Sequence, residues 1–136
     1  MIKLLKFFAA IVFVTMTIGL NAQCRLEIEI INLRNDKGKV MLEFFNAEHE
    51  VVTREMGDIL QGKSTIIFYS LKNGRYALRY FHDENSNGKL DMNWLGIPTE
   101  GYGFSNNAYG TFGPESFEKW LFEVEGNTKI VLKTKN

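Results

Sequence analysis

Residues 25–30 read Arg25-Leu26-Glu27-Ile28-Glu29-Ile30, and this strict alternation decides the fold. Successive side chains of a strand point to opposite faces, so Leu26, Ile28 and Ile30 form an apolar stripe while Glu27 and Glu29 face water. The pattern recurs. Val40, Leu42 and Phe44 alternate with Met41, Glu43 and Phe45, and the turn cluster Asn35-Asp36-Lys37-Gly38 between the two runs predicts a hairpin. Residues 65–69 are β-rich. After the turn signal Asn73-Gly74, residues 75–81 read as a strand with Tyr76, Leu78 and Tyr80 on one face. Near the end, Trp120, Phe122 and Val124 alternate with Leu121, Glu123 and Glu125. Gly126-Asn127 then turns the chain and residues 129–133 return it, predicting a second hairpin.

Residues 46–63 leave three options open: a short edge strand around Val51 and Val52, a loop, or one helical turn. No repeat, low-complexity tract or long linker interrupts the chain, and no helical stripe appears beyond the first twenty residues. Short strands with regular turns predict an all-β fold, a single antiparallel β-sandwich of about seven strands, immunoglobulin- or transthyretin-like, with one long Gly/Asn/aromatic loop.

The beginning of the chain is different. Residues 1–6 carry Lys3 and Lys6 and no acid, residues 7–20 are almost wholly apolar, and Ala22 precedes Gln23 and Cys24. A basic start, an apolar core and a small residue at the exit are the parts of a secretory signal. The apolar run is shorter than the roughly 20 residues a bilayer-spanning helix needs. The expectation is a signal peptide over 1–22 and one domain over 23–136, placed in the periplasm, at the cell envelope or outside the cell. No transmembrane segment is expected after the signal is removed. Lipid attachment at Cys24 is the lesser alternative, because bulky Gln23 stands where a lipoprotein signal wants a small residue; otherwise Cys24 reads as an unpaired thiol near a frayed terminus. Cys24 is the only cysteine, so an intramolecular disulfide is excluded. A small exported domain often needs a staple, and with disulfides gone a metal is the candidate. Sixteen basic residues balance sixteen acidic ones without a basic stripe, which argues against a nucleic-acid partner.

The loop that opens at His82 fits a metal. Asp83, Asn85 and Asn87 place side-chain oxygens at alternate positions, Gly88 allows a sharp bend, the Lys89 carbonyl adds a ligand, and Asp91 follows. Alternating oxygen donors before a glycine are how a calcium loop begins. An EF-hand loop would end in a bidentate Glu at its twelfth position, which here is Trp94, so this is not an EF-hand. Glu84, Asn93 or Glu100 remain open as the group that completes the shell, and Leu90 is expected to anchor the loop inward. Read without a metal, the same residues make a polar Asn-Gly turn.

Beyond it runs an aromatic- and glycine-rich segment. Trp94, Tyr102 and Phe104 with Asn106 are candidates for a surface that stacks on a glycan or holds a protein ligand. The competing reading, which is favoured, has these rings pack the loop onto the sandwich.

The runs Gly74-Arg75-Tyr76-Ala77, His82-Asp83-Glu84-Asn85, Asn87-Gly88-Lys89-Leu90-Asp91, Gly96-Ile97-Pro98, Glu100-Gly101-Tyr102-Gly103-Phe104-Ser105-Asn106-Asn107 and Phe112-Gly113-Pro114 with Phe117 resemble the bacterial domain-of-unknown-function family 2141. The resemblance implies an exported β-sandwich and brings no mechanism with it. Glu115 departs from it, where a second proline is expected.

Catalytic signatures are thin. No zinc-hydrolase His-Glu-x-x-His or serine-hydrolase Gly-x-Ser-x-Gly motif occurs, and His82 and Asp83, as strand neighbours, point to opposite faces. The reading is a non-enzymatic exported binding module with a calcium loop at 83–91. The alternative is an envelope-associated hydrolase or glycan-acting enzyme using the loop 82–118, with His82 meeting carboxylates in a cleft.

Overall fold

The computed structural model describes residues 23–136; the leader expected at 1–22 lies outside the described residues. Among the described residues eight strands build two sheets: β1 (Cys24–Ile31), β2 (Lys39–Asn46), β3 (Val51–Gly57), β4 (Ser64–Leu71), β5 (Gly74–Asp83), β6 (Tyr102–Phe104), β7 (Phe122–Val124) and β8 (Thr128–Lys133). One sheet runs β4-β1-β8; the other runs β3-β2-β5-β6, with β7 also paired to β5. A single helical turn, α1 (Phe117–Trp120), precedes β7. Among the described residues no helix is long and apolar enough to cross a membrane.

The apolar stripes meet between the sheets as the alternation requires. Leu26, Ile28 and Ile30 from β1 face Val40, Leu42 and Phe44 from β2 and Leu78 and Tyr80 from β5. Phe44 sits at the centre, stacked on Phe68 (4.6 Å) and Tyr76 (5.1 Å). Each such fully buried side chain stabilises the sandwich by about 1.5–3 kcal/mol.

Both predicted hairpins are corrected. β1 pairs with β4 and β8, whereas β2 pairs with β3 and β5. The connection over residues 32–38 is too long for a tight two-residue turn, and it arches from one sheet to the other. Leu33 tucks into the core on the way, its N–H donating to the Gly62 carbonyl (3.1 Å). Facing each other across the sandwich buries both apolar stripes in one core. At the other end, β7 pairs with β5 and β8 crosses to the other sheet, running parallel to β1, so the sandwich is antiparallel in every pair but that one. Trp120 belongs to α1 and not to the strand it was expected to share with Phe122 and Val124, which is β7.

Residues 46–63 form the edge strand β3 after a turn in which the Asn46 side chain accepts the N–H groups of Glu48 (3.1 Å) and Glu50 (2.8 Å). Cys24 does not lie at a frayed end. Its thiol is buried in the core and donates to the Asn73 side-chain oxygen (2.7 Å).

Candidate metal loop and the cleft beside it

β5 continues through His82 to Asp83, so the candidate loop springs from the end of a central strand. His82 is fully buried, and its Nε2 lies 2.7 Å from the Lys37 carbonyl, to which it donates. Its Nδ1 faces Glu84 at 3.9 Å. The ring thus ties the strand to the β1–β2 connection and has no opening to solvent, so the geometry that a His82-based hydrolase would use is not assembled.

Asp83, also buried, turns its carboxylate under the loop. One oxygen accepts the Asn87 N–H (3.1 Å) and the other the Gly88 N–H (2.8 Å). Gly88 takes a left-handed φ of 76°, the bend expected of it. Glu100, the other buried carboxylate, closes the loop from the far side. Its oxygens accept the N–H groups of Glu84 (3.0 Å) and Asp91 (3.1 Å), joining the two ends of the segment 84–91.

Asp91 receives the side-chain amides of the two asparagines. Asn85 Nδ2 donates at 2.6 Å, and Asn87 Nδ2 at 2.8 and 3.0 Å to the two carboxylate oxygens. The amide oxygens meanwhile accept loop N–H groups, Asn85 from Asn87 (3.3 Å) and Asn87 from Lys89 (3.0 Å). Asn85, Asn87 and Asp91 therefore converge on one point, and Asp83 and Glu100 hold the backbone around it. Among the described residues no three His, Cys, Asp or Glu side chains form a metal cluster. A cation here would depend on amide and carbonyl oxygens as well as carboxylates, a donor set that suits calcium and not zinc. Leu90 is half-buried and lines the cleft on the adjoining sheet face, outside both apolar clusters.

The aromatic candidates separate. Phe104 is buried and Tyr102 half-buried, both against Tyr109 in a second apolar cluster on the outer face of the five-stranded sheet. Phe104 also packs on Trp120 at 4.6 Å. The Asn106 amide is spent on the carbonyls of Lys119 (3.0 Å) and Leu121 (2.8 Å). Ser105, fully buried, accepts the Leu78 N–H (3.0 Å) and donates to the Trp120 carbonyl (2.5 Å). These contacts pack the long loop onto the sandwich. Trp94 is the one aromatic of the three that stays out, 91% exposed. It rides on a small knuckle with Met92, Leu95 and Ile97, held by the Asn93 side chain, which accepts the N–H groups of Leu95 (2.9 Å) and Ile97 (3.1 Å).

The loop leaves part of that outer sheet face open. There an open cleft of about 620 Å³ is lined by Leu90 and Trp120 among others. On its floor Glu43 sits between two arginines, Arg54 Nε at 2.9 Å and Arg79 Nε at 2.6 Å. Burial pulls the Glu43 carboxyl upward, but hydrogen bonds and charge from Arg79 and Arg54 outweigh it and hold the group below its ordinary range. Sequence reading missed this trio. The visible signal was only that Glu43 falls on the outward face of β2.

Residues 28–131 match the family model described as an uncharacterized protein conserved in bacteria (DUF2141). No curated protein and no solved structure matches the chain. With the match running from the first core strand to the last, the chain belongs to the DUF2141 family.

Proposed function

We propose that this chain is an exported β-sandwich interaction module whose 83–91 loop takes up calcium. The observation that carries the reading is the convergence of Asn85 and Asn87 on Asp91, above a backbone already shaped by Asp83 and Glu100. Rotating each amide about its Cβ–Cγ bond exchanges an N–H facing Asp91 for an oxygen. With the Lys89 carbonyl and the carboxylates of Asp83 and Asp91, those oxygens supply the ligand type calcium prefers. Binding then replaces amide-to-carboxylate hydrogen bonds with ion-to-oxygen bonds, and the loop is stiffened in place. The neighbouring Trp94 knuckle gives the module a rigid aromatic face for a glycan or protein partner. The buried Cys24 thiol supports a released protein over a lipid-anchored one, since a thioether there would have to leave the core.

A thermal melt with calcium and then with chelator tests the metal. A ligand that binds only the folded state stabilises it by about 2.7 kcal/mol at a hundredfold excess over its Kd. At roughly 4 °C per kcal/mol for a domain of this size, the melt should rise by on the order of 10 °C. Asp91→Ala should lose the rise and melt close to wild type in chelator. A wild-type melt that does not move in millimolar calcium sinks the proposal. Export is checked separately by mass spectrometry of secreted material, which should begin at Gln23 or Cys24; an intact Met1 on exported protein would overturn the leader.

A further inference from the structure

The open cleft on the five-stranded sheet is built from two registered rows that cross the strands. In one, Met56, Met41, Phe81 and Tyr102 lie side by side on β3, β2, β5 and β6. In the next, Arg54, Glu43, Arg79 and Phe104 do the same. The first row is an apolar track and the second a charged one. Two guanidiniums share a single carboxylate, so the charged row carries one surplus positive charge. Arg79 uses both Nε (2.6 Å) and Nη2 (2.5 Å) on Glu43 and lies over the Phe45 ring at 5.7 Å, so it is fixed in place. Arg54 is different. Its single bond among the described residues is from Nε, and 70% of its side chain is open to solvent. Its amino end is unspent beside an apolar floor. The one other acid at the rim, Glu55, belongs to the opposite face of β3, where Thr53 Oγ1 donates to it (2.9 Å).

A planar fork of donors next to an apolar track fits one ligand chemistry. We propose that the cleft binds a small amphiphilic carboxylate, its acid group on Arg54 and its hydrocarbon body along Met56, Met41 and Phe81. Guanidinium and carboxylate match in shape as well as charge, which distinguishes this site from a general anion patch. The cleft volume lies in the range that small-molecule sites occupy.

The test is isothermal titration of the purified protein with decanoate and with decanol, below their aggregation limits and in chelator, so the result does not depend on the calcium loop. Decanoate should bind about tenfold or more tightly than decanol, the worth of one charge-assisted contact. Arg54→Gln should bring decanoate down to the decanol level and leave decanol unchanged. Glu43→Gln should tighten decanoate, because it frees both arginines; a misfolded protein would not gain affinity. Equal binding of the acid and the alcohol, no binding of either, or an Arg54→Gln variant that keeps the preference would each overturn the proposal.

Discussion

Replacing Gly38 with alanine is expected to cost the protein its stable fold. Gly38 has a left-handed φ of 66°, and a Cβ built on it overlaps the carbonyl oxygen of Asp83. The conformation alone costs a non-glycine residue about 1–2 kcal/mol. The overlap is the larger effect, because it is with backbone and no rotamer change relieves it. Relief would require β2 to move away from β5 where Lys39 pairs with Asp83, and the neighbouring bond from His82 to the Lys37 carbonyl would break as well. The expected loss is more than about 3 kcal/mol in a denaturant melt. Gly88→Ala is the control. It also has a positive φ, of 76°, but nothing lies within 4 Å of an added Cβ, so it should cost only about 1 kcal/mol. Equal losses for the two variants would show that the Asp83 carbonyl is not the obstacle.

The second large effect is expected at Glu100. Its buried carboxylate is the shared acceptor for the N–H groups of Glu84 and Asp91. Hydrogen bonds to a charged acceptor are worth about 1.5–3 kcal/mol each, and a partly buried donor left alone carries a penalty of its own. Glu100→Ala should therefore destabilise the calcium-free protein by about 3 kcal/mol. Hydrogen exchange should accelerate at the amides of Glu84 and Asp91 before it does in β1 or β2. Glu100→Gln should fall between, since its amide offers one acceptor where two are used. This separates a clamp from a ligand. Asp91→Ala removes a proposed metal ligand and leaves the backbone clamp in place, whereas Glu100→Ala loosens the loop whether or not a metal is added. A loss below about 1 kcal/mol with both amides still protected would remove Glu100 from that role.

The strands were legible because burial imposes a period. Leu26-x-Ile28-x-Ile30 and Val40-x-Leu42-x-Phe44 each announce a face, and those faces form the core. Partnership was not legible. Nothing in residues 24–46 states that β1 and β2 face each other across the core instead of lying side by side, because both arrangements bury the same stripe. β6 was hidden for another reason. It spans three residues with Gly103 in the middle, where a Cβ would strike the Tyr80 ring, and three residues are too few to show a period. In the loop, the convergence of Asn85 and Asn87 on Asp91 was readable because these residues are close in sequence. The part Glu100 plays, accepting the N–H groups of Glu84 and Asp91, was not legible, because it lies nine residues beyond Asp91 and only folding brings it against the loop. The Arg54–Glu43–Arg79 trio unites side chains 11 and 36 residues apart on three strands, and no local spacing marks such a set.

The parallel pairing of β1 with β8 sets an order of events. Leu26 pairs with Thr128 and Ile31 with Lys133, so the first of the described strands completes its second ladder only with the last of them. Until then β1 has β4 on one side and an unsatisfied row of N–H and C=O groups on the other. Contacts that span most of the chain are slow to form, because the entropy of closing so large a loop is lost before any of them is gained. Until β8 is available, that edge of β1 is expected to stay unpaired and sticky. A chain lacking β8 is therefore expected to leave that edge of β1 exposed.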